Sequence, residues 1–123
     1  MAYLMGIDLG TSSLKVIIID DQGNLKVQTA QGYRFDSPEV GFAEQDVSVW
    51  WQACCNAVRQ AVELLGAPAS EIKAVSFSGQ MHGAVLLDSE LQPVRPAILH
   101  CDARSAQQVA EMKAALGEDL IRS

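Results

Sequence analysis

Two apolar runs rich in β-branched residues open the chain, Leu4 to Asp8 and Leu14 to Ile19, separated by Leu9-Gly10-Thr11-Ser12-Ser13. Runs of that length broken by a glycine-containing polar cluster predict two strands joined as a hairpin. The second run stops at Asp20-Asp21-Gln22-Gly23-Asn24, a turn composition, and Leu25 to Tyr33 resumes as a third strand of a meander. There Leu25, Val27 and Thr29 alternate with Lys26, Gln28 and Ala30, which suits a strand near a sheet edge with one wet face.

After a loop at Asp36-Ser37-Pro38-Glu39 and Gly41 the period changes from two to that of a helix. Val47, Trp50, Trp51, Cys54, Val58, Ala61, Val62 and Leu65 recur at helical spacing, and Gln52, Asn56, Arg59, Gln60 and Glu63 fall largely on the other face. Asp46 is placed to cap the start through its carboxylate, Gly66 to end the helix in a left-handed conformation, and Pro68 to block continuation. The two tryptophans read as core in preference to ligand-stacking surfaces.

A strand is predicted from Glu71 through Ser78, another over Ala84 to Asp88, and a second helix over Ala103 to Leu116 with Gly117 as its stop. VIIIDDQGNLKV and AVLLDSELQPVRPAIL both run from an aliphatic strand through Asp and a turn, a single echo and not a repeat architecture. Ile121-Arg122-Ser123 ends without a cap or closing element, so the chain reads as truncated.

Composition narrows the function classes. The 123 residues, 49% hydrophobic and 20% charged, suit one ordered domain that can bury a core. Fifteen acidic against nine basic residues give a net charge of -6, which argues against nucleic acid as a partner and requires any anionic ligand to be held by local amides, a helix end or a metal. The longest aliphatic run, Val16 to Ile19, is far too short to span a bilayer, and Met1 to Gly6 lacks the basic flank of a leader, so no membrane association and a cytoplasmic location are expected. Cys54, Cys55 and Cys101 form neither a disulfide framework nor a CxxC motif and read as reduced, mostly buried thiols.

Chemistry concentrates in three stretches. In Gly6-Ile7-Asp8-Leu9-Gly10-Thr11-Ser12-Ser13-Leu14-Lys15 there is neither a Walker A loop nor a GxGxxG fingerprint. Gly10 at a hairpin tip lets the backbone approach a ligand, and the amides of Thr11, Ser12 and Ser13 can form an anion-binding concavity. Asp8, at the strand end, can hold Mg²⁺, which takes one or two carboxylates plus phosphate oxygens, and Lys15 either adds charge or points to solvent. Taken alone, the stretch fits equally an ordinary hairpin whose Asp8 and hydroxyls satisfy their own turn.

In the second stretch, Ser78-Gly79-Gln80-Met81-His82-Gly83, two glycines bracket polar side chains in a loop between strands that can face a small ligand. An isolated histidine is more often a core or turn residue than a ligand group. The third, Pro96-Ala97-Ile98-Leu99-His100-Cys101-Asp102-Ala103-Arg104, holds adjacent His, Cys and Asp residues that alternate in direction on an extended segment and cannot converge on one metal.

The first stretch, with its flanking strands, resembles the first phosphate motif of the actin-like ATPase superfamily, whose fold is a ribonuclease H-like α/β domain with a mixed sheet and helices. SGQMHG followed by an aliphatic run and Asp resembles the xylulokinase branch of the FGGY carbohydrate kinases, and Gly41-Phe42-Ala43-Glu44-Gln45-Asp46 with Trp50-Trp51 is similar to the same family's EQD and WW segment. The third stretch matches R-P-A-I-L-W-x-D-x-R except that His100 stands in the place of Trp. The resemblance runs from Tyr3 to about Leu116 and implies transfer of the γ-phosphoryl group of MgATP to a primary hydroxyl of a ketopentose such as D-xylulose.

By the same resemblance Asp8 is the catalytic and metal-holding carboxylate, Gly10, Thr11, Ser12, Ser13 and Lys15 bind ATP, and Gln80, Met81, His82, Asp102 and Arg104 bind the sugar. It also implies that the chain is the N-terminal portion of the sugar-binding domain. The catalytic base and most of the nucleotide-binding domain would lie beyond residue 123, and the fragment alone would have no turnover. Ribulose, gluconate or glycerol as acceptor, and a non-catalytic sugar-sensing module, are the rival readings; self-association through an open apolar face is a further expectation.

Overall fold

The computed structural model describes residues 1–122. Ser123, part of the segment expected to end without a cap, lies outside the described residues. The opening hairpin forms as its pattern predicts: β1 (Tyr3–Leu9) pairs antiparallel with β2 (Ser13–Asp20), which pairs antiparallel with β3 (Leu25–Gly32). The period-two pattern sends Met5, Ile7, Leu14, Val16, Ile18 and Val27 to one face, where all are buried.

A two-residue strand, β4 (Glu44–Gln45), precedes α1 (Val47–Leu65). Helix α1 starts and stops where its caps dictate. The Asp46 carboxylate accepts from the Ser48 amide at 2.8 Å, and Gly66 closes the helix at φ 64° with its amide donating to the Glu63 carbonyl. A short 3-10 turn at Ala69–Glu71 leads to β5 (Ile72–Gly79), which lies parallel to β1, so the sheet order is β3-β2-β1-β5. Helix α1 is thus the crossover of a strand-helix-strand unit and covers one sheet face.

Of the predicted stripe, Ala61 is buried and Cys54, Val58, Val62 and Leu65 pack partly buried against the core, but the centre of the buried face is smaller than the large side chains suggested. Ala53, Ala57 and Ala61, one helical turn apart, are buried against the sheet, whereas Trp51 is 71% exposed. Small residues let the helix backbone lie close to the strands, close enough for the buried Thr29 hydroxyl to donate to the Ala57 carbonyl at 2.8 Å. Trp50 is half-buried and donates its Nε1–H to Gln45 Oε1 at 2.6 Å. Cys54 and Cys55 are half-buried but Cys101 is exposed, contrary to the expectation of mostly buried thiols for that residue.

The second half departs further from the pattern. Ala84 to Asp88 is not a strand: it makes only isolated bridges, Ala84 to Ile98 and Leu87 to Pro93. Its partner segment contains Pro93 and Pro96, which lack amide donors, and the pairing that Ala84 begins with Ile98 does not continue as a ladder. The residues beyond form β6 (Ala97–Ile98), paired with β4, then α2 (Ala106–Leu116) and α3 (Glu118–Arg122). Helix α2 begins three residues later than its apolar spacing predicted; the Ala103 amide donates to the Gly41 carbonyl at 2.7 Å.

The echo between the two strand-Asp-turn segments is structural. Asp20 and Asp88 each accept amides two and four residues on through Oδ1 (Gln22 and Asn24; Glu90 and Gln92), and each donates its own amide to the carbonyl four residues on. The fourth position is left-handed in both loops, Gly23 at φ 85° and Leu91 at φ 62°.

Candidate functional site

Parallel pairing of β1 with β5 brings Asp8 opposite Ser78 and Leu9 opposite Gly79, so the loops leaving both strands emerge side by side. The Gln80 amide continues this pairing by donating to the Leu9 carbonyl at 2.8 Å. Between the loops opens a cleft of about 660 Å³ lined by Asp8, Gly10 and Thr11 on one side and Gln80, Met81, His82 and His100 on the other. Ligand sites lie beyond the carboxyl ends of parallel strands for this reason: the loops diverge there and leave a crevice.

The turn from Gly10 to Ser13 has all four carbonyls tied inward. Gly10 O accepts from the Tyr33 hydroxyl at 2.5 Å, Thr11 O from Gln45 Nε2 at 3.2 Å, Ser12 O from the Tyr33 amide at 2.9 Å and Ser13 O from the Gly10 amide at 3.0 Å. The Gly10 amide is therefore used in closing the turn. The amides of Thr11 and Ser12 have no acceptor among the described residues and are available to an anion. Gly10 is required sterically, since a Cβ there would stand 2.8 Å from the Ser13 carbonyl oxygen.

Tyr33 and Gln45 hold this turn. Burial, and then the Asp8 carboxylate, push the Tyr33 phenol up to about 12, so it stays protonated and keeps donating to Gly10. Gln45, 1% exposed, uses its amide nitrogen for the Thr11 and Arg34 carbonyls and its oxygen for Trp50. Neither residue was singled out as part of the site from the sequence; the EQD resemblance marked Gln45 without a role, and nothing local marks Tyr33.

Asp8 is exposed and forms no ion pair among the described residues. No group of three or more His, Cys, Asp or Glu side chains that could cage a metal occurs among the described residues. That donor set fits Mg²⁺ shared with phosphate oxygens better than a metal caged by protein alone. Lys15, opposite Asp8 in the register, lines a smaller cavity of about 320 Å³ on the open sheet face with Ser76 and Ser78, and not the main cleft; Ser12 and Ser13 do not line that cleft either.

A third cavity, of about 680 Å³, adjoins the cleft through His82 and His100, which line both, and continues to Phe42, Asp102, Arg104 and Gln108. His82 sits at φ 62°, unusual for a residue with a side chain. The Asp102 carboxylate is saturated from within. It accepts from Arg104 Nη2 at 2.7 Å, Arg104 Nε at 2.8 Å, the Arg104 amide at 2.9 Å and the Ala43 amide at 2.6 Å.

The Arg104 guanidinium beside it, foremost among these, holds the Asp102 carboxyl well below the usual carboxylate range, and Asp102 in turn raises Arg104 further. Arg104 also pairs with Glu44 at 2.9 Å and lies 4.0 Å over the Phe42 ring, while Arg95 pairs with the same Glu44 oxygen. In this structure Asp102 clamps the loop after β6 to the segment before β4, which fixes where His100 stands.

With that geometry in view, the family profile described as the N-terminal domain of the FGGY family of carbohydrate kinases matches residues 3–123. The chain belongs to this family. Xylulose kinase of Lactococcus lactis subsp. lactis is 40% identical over 121 residues, covering 98% of this chain and 24% of the relative. A crystal structure described as a xyloylose kinase from Brucella ovis is 38% identical with a TM-score of 0.81, over 92% of this chain and 24% of that one. Gluconate kinase from Lactobacillus acidophilus superimposes at a TM-score of 0.90 with 25% identity, over 98% of this chain and 24% of that one. The chain thus spans about a quarter of the length of these relatives. The fold is that of the FGGY N-terminal domain, a mixed sheet with helices as the resemblance to actin-like ATPases implied. Among the described residues, no helix is long and apolar enough to cross a membrane.

Proposed function

We propose that this chain is the N-terminal part of the sugar-binding domain of a longer kinase that phosphorylates a ketopentose, with D-xylulose as acceptor and MgATP as donor. One observation carries the reading: Thr11, whose amide is unclaimed among the described residues, and the exposed Asp8 share a cleft with the Gln80 to His82 loop. Phosphoryl transfer needs a place for developing phosphate charge next to a place for the attacking hydroxyl, and the cleft offers one on each wall.

In this reading bound Mg²⁺ neutralises phosphate charge and lowers the cost of bringing a hydroxyl oxygen to phosphorus. Asp8 holds the metal directly or through water. Thr11 and Ser12 donate amides to the terminal phosphate, and Gly10 and Ser13 shape the turn they belong to. Lys15 adds positive charge from the neighbouring sheet face. Met81 and His82 orient the sugar; Arg104 extends that wall, and Asp102 acts by holding Arg104 and the His100 loop. The general base comes from outside residues 1–123, so this piece alone has no turnover.

The test is ADP production by the full-length protein with MgATP and D-xylulose, D-ribulose, gluconate or glycerol. The highest kcat/KM is expected with D-xylulose. A clear preference for another of the four transfers the proposal to that acceptor, and no acceptor-dependent turnover with any polyhydroxy compound refutes the kinase reading in favour of a sugar-sensing module. Asp8→Asn in the same protein is expected to abolish turnover while leaving the fold intact.

A further inference from the structure

The Thr11 and Ser12 amides, unclaimed among the described residues, each belong to a peptide group whose carbonyl is held by a side chain from far along the chain. The Thr11 N–H shares its peptide with the Gly10 carbonyl, which accepts from the Tyr33 hydroxyl at 2.5 Å. The Ser12 N–H shares its peptide with the Thr11 carbonyl, which accepts from Gln45 Nε2 at 3.2 Å. No cis peptide occurs among the described residues, and a trans peptide is planar with its N–H pointing opposite to its C=O. Anchoring the oxygen therefore fixes the line along which the hydrogen points. It also draws charge toward that oxygen and leaves the N–H a stronger donor.

Gln45 is itself held in place. Its Oε1 accepts from the Trp50 indole at 2.6 Å, and its Nε2 also donates to the Arg34 carbonyl at 3.0 Å. An indole only donates and a carbonyl only accepts, so these partners set which end of the carboxamide faces the turn. Gln45 is 1% exposed, and water does not compete for the bonds. One chain of donors thus runs from Trp50 through Gln45 and the Thr11–Ser12 peptide to the Ser12 N–H. A shorter one runs from Tyr33 through the Gly10–Thr11 peptide to the Thr11 N–H. We propose that Tyr33 and Gln45, with Trp50 behind Gln45, are positioning residues for nucleotide binding: they aim the Thr11 and Ser12 amides at the terminal phosphate and strengthen them as donors. This rests on the kinase reading above, and it gives the Glu44-Gln45-Asp46 and Trp50-Trp51 segment a part in holding phosphate.

The experiment measures Kd by calorimetry on the full-length protein, titrating the non-hydrolysable MgAMPPNP without sugar and, separately, D-xylulose without nucleotide. Tyr33→Phe removes the hydroxyl but keeps the ring and the backbone amide that donates to Ser12. Gln45→Met removes both ends of the carboxamide, and Trp50→Phe removes the indole N–H. Tyr33→Phe and Gln45→Met are each expected to weaken MgAMPPNP binding by about 3- to 10-fold while D-xylulose affinity stays within about 2-fold. Trp50→Phe is expected to weaken MgAMPPNP binding by about 2- to 5-fold in the wild-type background and to add nothing in Gln45→Met, because it acts only through Gln45. A general loss of stability would instead lower both affinities and add across the two sites. If Gln45→Met does not fold, Tyr33→Phe and Trp50→Phe carry the comparison of nucleotide with sugar.

Unchanged MgAMPPNP affinity in the folded variants overturns the proposal, because the amides then need no anchor. An equal fall in D-xylulose affinity also overturns it, because the substitutions then loosen the whole cleft. A further loss from Trp50→Phe in the Gln45→Met background overturns the chain through Gln45. In each of these cases wild-type protein that phosphorylates a sugar leaves the kinase reading standing without these roles. Wild-type protein that does not bind MgAMPPNP removes both.

Discussion

Replacing Gly10 with alanine tests how the turn before β2 is built. The Gly10 backbone needs no left-handed conformation, so the demand for glycine is purely one of space. A methyl group would meet the Ser13 carbonyl oxygen at 2.8 Å, and that oxygen is backbone, held by the Gly10 amide at 3.0 Å. Relieving the contact means parting the two residues by a few tenths of an ångström and stretching the bond that closes the turn. The loss of about 1 kcal/mol for the hydrogen bond, with a similar cost for backbone strain, gives about 2 kcal/mol in all. Because Thr11 and Ser12 lie between the displaced residues, their amides turn away from a common point. MgADP affinity of the full-length protein is expected to fall about 10- to 30-fold by calorimetry, at about 1.4 kcal/mol per factor of ten.

Gly79→Ala is the control. Gly79 lines the same cleft, but a Cβ there would meet Leu9 Cβ at 3.6 Å and Leu9 O at 3.7 Å, ordinary contact distances. That variant is expected to keep wild-type stability. Gly10→Ala with unaltered MgADP affinity and unaltered melting would refute the steric account of the turn.

Other consequences are open to direct measurement. Leu91 occupies the left-handed position that Gly23 fills in the matching loop and is 74% exposed, so Leu91→Gly relieves strain without losing packing; a stabilisation of up to about 1 kcal/mol in denaturant melts is expected, and a loss of 1 kcal/mol would contradict it. The Asp20 carboxyl is held below its ordinary 3.8, first by the Asn24 side chain, then by the Asn24 amide, with Lys26 and Gln22 assisting. A carboxyl depressed on folding contributes stability that is present above the unfolded value and drains away as pH falls below it, so Asp20→Asn should flatten the decline of stability between about pH 5 and pH 2. A slope equal to wild type across that interval would count against this. His100 lines the cleft where the family pattern has Trp, so His100→Trp is expected to shift kcat/KM ratios among D-xylulose, D-ribulose and gluconate without altering MgADP affinity; unchanged ratios would show that position 100 takes no part in acceptor choice.

What the order of residues determined alone is the part of the fold settled within a few residues of each position. The hairpin, the meander, helix α1 between Asp46 and Gly66, and β5 were legible because pleat, helical period and caps are local physics. The three chemical stretches were legible as motifs for a similar reason: each is contiguous. Tertiary structure decided the rest, through contacts between residues far apart in the chain. It chose alanines over Trp51 as the buried stripe of α1, because the helix must approach the sheet closely enough for Thr29 to reach Ala57. It denied strand status to Ala84–Asp88, whose apolar run meets β6 only at the single Ala84–Ile98 bridge. It committed Asp102 to Arg104 and Ala43, so that a residue marked for the sugar serves the loop carrying His100. It also recruited Tyr33 and Gln45 to anchor three carbonyls of the Gly10 turn, those of Gly10, Thr11 and Ser12, while the Thr11 and Ser12 amides stay unclaimed among the described residues. No local pattern encodes such a contact, because its free energy exists only once two distant segments have been brought together.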